Sequence, residues 1–264
     1  MSSVTTLDIP AGHYQTMEVV RGEIVKILTL RSTIVTLIVT FVGGVGISIL
    51  STNSAGHHNQ QWYQGFDPTN NSLAGLLVAV LTIGVFGALA VTGEYSSGTI
   101  RSSLAASPRR STFLLAKLLV IGVMSLVVSE LLSFACFGIG QAILSSGGAP
   151  TASLGQPGVL RAVVCSGLIL GMLGLAGAAV GLVIRNTAGT IATYAGLMLV
   201  MPIILNRISV NASQYTPVQI LANSVAAVIP QQNAVSAPFG ILLIALYLSA
   251  VLGLAATLFS RRDA

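Results

Sequence analysis

Only 7% of the 264 residues are charged, so chemistry in this sequence is confined to a few places. One is Glu130, which stands near the middle of a long apolar run. A carboxylate at membrane depth is costly and usually faces protein or water. Glu130 is therefore a candidate for lining a substrate path or touching a second subunit. The plainer reading makes it protonated or hydrogen-bonded packing. Arg161 lies about 20 Å away in depth, at ~1.5 Å of helix rise per residue, and is a poor partner.

The second place is the polar run Gly93-Glu94-Tyr95-Ser96-Ser97-Gly98-Thr99-Ile100-Arg101-Ser102-Ser103-Leu104-Ala105-Ala106-Ser107-Pro108-Arg109-Arg110. Gly98 permits a sharp turn. Thr99 is placed to cap a short helix with Ile100 and Leu104 on one face. Ser107-Pro108 then stops that helix and starts the next. A short helix between turns, with an apolar face and arginines beside it, suits insertion into a groove on another protein. An ordinary connecting loop is the plainer alternative.

The remaining inventory mostly excludes. His13, His57 and His58 lie outside the apolar runs, as do Asp8, Asp67 and Asp263. Intramembrane proteolysis by a Ser–His or a paired-aspartate site has no residues to use. Adjacent histidines at 57 and 58 are too few to hold a metal. Cys136 and Cys165 read as small buried hydrophobes, and nothing in their spacing supports a disulfide. No Gly-x-x-x-x-Gly-Lys-Ser/Thr loop exists to bind ATP, and no nucleic-acid motif is present.

These residues must be held by elements that live in a membrane. The chain is 53% hydrophobic with mean hydropathy +0.87. Its 12 basic and 7 acidic residues could not clothe a water-facing surface, where roughly 25% charged residues is usual. The expectation is an all-α integral membrane protein with one transmembrane domain over 1–264. Six runs are long enough to span: about 32–50, 73–92, 113–144, 159–184, 187–205 and 239–259. The third is too long for one bilayer and begins in the cytosol. Arg185 and Asn186 alone separate the fourth and fifth, as in a tight helical hairpin. Gly167, Gly171, Gly177 and Gly181 on the fourth read as packing within the bundle.

Charge position orients the spans. All but two of the 12 basic residues fall on one side, including Arg21, Lys26, Arg31, Arg185 and Arg261, whereas Arg161 and Arg207 fall on the other. The positive-inside rule makes both termini cytoplasmic. Asp8, Glu18 and Glu23 precede any apolar run, which predicts an uncleaved first span. Residues 13–31 read as an amphipathic interfacial helix, with Met17, Val20, Ile24, Ile27 and Leu28 at helical spacing. In the outer loop, Trp62 and Tyr63 are expected at headgroup level. The outer segment 206–238 contains Thr216-Pro217-Val218-Gln219, a helix start with a Thr cap. The apolar run then reaches Ile229, predicting a short re-entrant or interfacial helix.

At the 93–110 connection the sequence resembles a known family. The run Glu94…Gly98-Thr99-Ile100…Leu104…Pro108-Arg109-Arg110…Lys117 is similar to the signature of bacterial type-2 ABC exporter permeases. Glu23…Lys26…Arg31 before the first span and the six-span layout with its outer re-entrant segment also resemble theirs. Members often carry Ser where Arg109 stands. The resemblance implies an exporter of two permeases, identical or related, and two cytosolic ABC ATPase subunits in the bacterial cytoplasmic membrane. It implies that 13–31 is an interfacial elbow and that residues 99–106 form a coupling helix. Glu94, Gly98, Thr99, Ile100, Arg101, Leu104, Pro108 and Arg109 would make the ATPase contact. The chain itself would not be an enzyme and would hold no cofactor, since ATP and Mg would bind the partner. Walls of Val, Leu, Ala, Gly and Thr suit an amphipathic drug, a lipid-like molecule or a peptide. An ion-coupled secondary transporter and a noncatalytic scaffold or immunity protein are the alternatives.

Overall fold

Apolar runs of this length must satisfy their backbone groups internally, and helices do so within one segment. The computed structural model describes residues 16–55, 63–99, 110–227 and 234–261. A first helix, α1 (Thr16–Thr29), precedes α2 (Arg31–Ala55). A one-turn helix α3 (Pro68–Ser72) leads into α4 (Ala74–Ser96), and α5 (Arg110–Ser146) follows. Next come α6 (Val159–Ile184), α7 (Thr187–Ala195), a π-helical turn at Gly196–Val200 and α8 (Met201–Ile208). Short helices α9 (Val210–Ser213) and α10 (Pro217–Ser224) precede α11 (Ala237–Arg261). Six of these stretches are long and apolar enough to cross a membrane. The chain is thus an all-helical multi-span membrane protein. One end of the bundle, the α1 end, holds α1 and the close of α11; the far end holds α3, α9 and α10.

Helices α4 and α6 form the centre, with α2, α5, α7 and α11 around them. Their backbones meet closely because glycines remove the side chains between them. A Cβ on Gly87 would overlap the Gly174 carbonyl, one on Gly177 the Gly84 carbonyl, and one on Gly75 the Gly44 carbonyl. Gly84 faces the Tyr194 ring. The glycines of α6 therefore pack within the bundle. Tyr194 is fully buried, and its hydroxyl donates to Val80 O (3.1 Å) and Leu173 O (3.3 Å), linking α7 to α4 and α6.

Several expectations change in detail. Helix α5 starts at Arg110, and its 37 residues extend about 55 Å at ~1.5 Å each, well beyond one hydrocarbon thickness. In α1, Glu23 and Ile27 are buried, whereas Met17, Ile24 and Leu28 are exposed. The bundle claims one edge of the apolar stripe and leaves the other for the interface. The turn after α6 has Arg185 at φ 61°, and Asn186 Oδ1 caps α7 by accepting from Gly189 N (2.9 Å). The fifth span contains a π turn and Pro202, which sequence periodicity does not reveal. Tyr63 packs against the end of α2: its hydroxyl donates to Ala55 O (3.1 Å) and its ring meets Phe66 edge-on at 5.6 Å.

The outer helix is also shorter than its apolar run. It begins after Thr216, but the Thr216 hydroxyl donates to Ser213 O (2.8 Å) instead of capping the helix. It ends at Ser224, not near Ile229, because the following backbone is captured elsewhere. Ala227 N donates to Asp67 Oδ2 (2.8 Å) and Arg161 Nη2 donates to Ala226 O (3.2 Å). Ile220 and Leu221 are buried, so α10 packs onto the bundle and is not a free surface helix.

Candidate functional site

At the α1 end, four charged side chains from three helices converge. Lys117 on α5 lies 2.6 Å from Glu23 Oε2 on α1 and 2.8 Å from Glu94 Oε1 on α4. Lys26 lies 2.6 Å from Glu23 Oε1 and 3.1 Å from Glu94 Oε1. Glu23 and Lys117 are each 3% exposed and Glu94 6%. Phe113 completes the cluster, its ring centroid 5.5 Å from Lys26 Nζ and 5.3 Å from Lys117 Nζ. Two carboxylates against two ammoniums leave no net charge, and shared oxygens give each cation two anionic partners. That arrangement is what makes burial of Glu23, Glu94 and Lys117 tolerable, with Lys26 half-exposed beside them. Burial works against the Lys26 ammonium, but hydrogen bonding and charge from Glu23, with Glu94, outweigh it and raise its pKa above the usual 10.5.

The next residue grips the other side of α4. The Arg185 guanidinium stacks over the Tyr95 ring at 5.3 Å and reaches Leu258 O on α11 at 3.5 Å. Thr187 Oγ1 donates to Thr92 Oγ1 (2.9 Å) beside it. Glu94 and Tyr95 are one residue, or about 100° of helix, apart. The last turn of α4 is thus fastened to α1 and α5 on one side and to the α6–α7 hairpin and α11 on the other.

The polar loop leaves from this fastened turn. Ser97 caps α4, and Gly98 takes φ 71°, the left-handed turn its residue type permits. Ser97 Oγ lies 2.8 Å from Thr99 Oγ1. Ile100, Arg101, Leu104, Pro108 and Arg109 lie outside the described residues, so the short helix expected at 99–106 has only its first residue described. Glu94 is not directed outward from the loop; its carboxylate points inward to the two lysines. Nothing local in the sequence joins Glu23, Lys26 and Lys117 to Glu94. Two signals were present: Glu23 and Lys26 at i,i+3, and a lysine inside the third apolar run.

Glu130 lies apart, on α5 against α6. Its carboxylate fills the space where Gly167 has no side chain, and Oε2 accepts no hydrogen bond among the described residues. Ser125 and Ser129 on the same helix are buried, and their hydroxyls likewise have no partner there. Ser133 Oγ donates to Val163 O (2.7 Å). The thiols of Cys136 and Cys165 are both free. Among the described residues no group of His, Cys, Asp and Glu could hold a metal ion.

The bundle defines a multi-span helical membrane protein. The profile of the ABC-2 family transporter proteins matches residues 19–193, from α1 through the charged cluster to α7. The chain belongs to that family and is a membrane-spanning ABC transporter component. No curated protein matches it significantly.

Proposed function

We propose that the chain is the permease subunit of an ATP-driven exporter. It forms the substrate path with a second permease, itself or a related chain, and takes its energy from two separate ATPase subunits. ATP and Mg bind those partners, and this chain catalyses no reaction. Both termini lie on the cytoplasmic side of a bacterial cytoplasmic membrane. The observation that carries this reading is the fastening of the last turn of α4. A push on the loop at 97–109 meets a turn tied to five other helices, so it cannot be absorbed locally. Closing of the ATPases would press that loop, and the ties would pass the displacement to α1, α5 and the α6–α7 hairpin. Alternating access follows if the bundle has two stable packings. The substrate class is an amphipathic drug, a lipid-like molecule or a peptide.

The test is copurification of the chain with a cognate ATPase, followed by reconstitution. Gly98→Val strains a left-handed turn and is expected to leave the bundle folded while lowering transport per ATP hydrolysed. Unchanged coupling in Gly98→Val would remove the loop from the mechanism. Cysteine labelling at Asn59 should occur only from outside.

A further inference from the structure

A cavity of about 280 Å³ lies between α6, the α7–α8 span and α11, and it shares no residue with the charged cluster. An apolar cavity of ~150 Å³ can stay dry and bind benzene, so this one has room for a longer apolar body. Its walls include Ala176, Met198, Met201, Ile244 and Val251. The π turn at Gly196–Val200 forms one wall, and such turns widen a helix locally. Methionines line it, and their flexible side chains adapt to guests of varied outline.

The polar accounting is nearly closed. Tyr194 donates to Val80 O and Leu173 O, Thr216 to Ser213 O, and Tyr247 to Tyr215 O (3.2 Å). A buried water needs 2–4 polar partners, and the interior offers no free donor. Tyr215, 49% exposed at the far-end rim, makes no side-chain hydrogen bond among the described residues. The mouth opens sideways. Leu197, Met201 and Tyr247 on the rim are 38–44% exposed, and Leu199, Ile203 and Leu246 beside them are exposed apolar residues of the same spans. In a bilayer this mouth meets hydrocarbon.

We propose that the cavity binds a hydrocarbon chain, the tail of a single-chain amphipath or of a phospholipid, which slides between α8 and α11 from the bilayer. The polar end of the guest stays at Tyr215, outside the dry interior. The binding belongs to this chain alone and does not rest on ATP coupling.

The test uses the full chain in nanodiscs with two probes in separate arms: a long-chain alcohol and a phosphatidylcholine, each with a diazirine on its hydrocarbon chain. Photolysis followed by peptide mapping should give saturable adducts on Met198, Met201 and Tyr247, displaced by unlabelled alcohol. Adducts in both arms assign the site to hydrocarbon chains generally; adducts in the alcohol arm alone assign it to single-chain amphipaths. Ala176→Phe fills the cavity and should lower labelling roughly tenfold. Val251→Phe does so from the opposite wall and carries the test if Ala176→Phe does not fold. The proposal is overturned if these adducts saturate no more than those on Leu119 and Leu131, which are exposed on α5. It is equally overturned if a folded filling variant labels like the parent, or if Met201 cross-links to a second copy of the chain, which would then occupy the cavity.

Discussion

At the α1 end, Glu23, Lys26, Glu94 and Lys117 join three helices side chain to side chain. At the far end, Asp67 and Gln141 join theirs mainly side chain to backbone. Asp67 Oδ1 accepts from Thr69 N and Asn70 N, and Oδ2 from Ala227 N. Gln141 donates to Pro68 O (3.2 Å) and Ser72 Oγ (3.0 Å) and accepts from Ala152 N (2.7 Å). Backbone partners hold one loop in one place. Paired charges hold helices together while letting each cation choose between two carboxylates. The far end fixes a loop in place; the α1 end shares its charges among three helices.

The sharpest test of this contrast is Lys117→Met. It leaves two buried carboxylates facing one half-exposed lysine and should cost about 3–5 kcal/mol of stability. The double variant Glu23→Gln with Lys117→Met restores neutrality and should recover much of that loss in thermal melts in detergent. If the double variant is as unstable as the single one, packing and not charge holds the α1 end. Gln141→Leu should cost about 1–3 kcal/mol, because it orphans the Ala152 N–H, and no second substitution of charge should rescue it. Asp67→Ala should cost about 1–2 kcal/mol and loosen residues near Ala227, seen as faster hydrogen exchange there. The smallest effect belongs to Lys26→Met, under about 1 kcal/mol, because that side chain is 37% exposed.

The two ends also separate by pH. The Lys26 pKa is raised in the fold, so its contribution is complete below about 10.5 and disappears as pH rises through the higher folded value. Alkaline exchange measurements should therefore release α1 above pH 10.5 before the far end responds. Simultaneous release at both ends would break the comparison.

The spans were legible because a bilayer imposes one length and one composition on them. The Arg185–Asn186 turn was legible for a related reason: two polar residues between apolar runs leave room only for a hairpin. The π turn was not, since a single wide turn perturbs periodicity too little to register. The end of α10 was not, since it is set by Asp67 and Arg161 reaching in from elsewhere in the chain. In the candidate site, the residue types at 23, 26, 94 and 117 were visible, but their meeting was not. Separations of 68 and 94 residues carry no local pattern, and only the packing of α1 and α4 against α5 brings them together.

The glycine contacts among α2, α4 and α6 have a mechanical consequence. Where carbonyl meets glycine there is no layer of side chains to shear, so these helices behave as a laminated beam and not as rods in grease. Such a beam resists bending and sliding within itself. Motion must then be carried by the helices bound to its faces through side chains, α1, α5, α7–α8 and α11, which swing about a stiff spine.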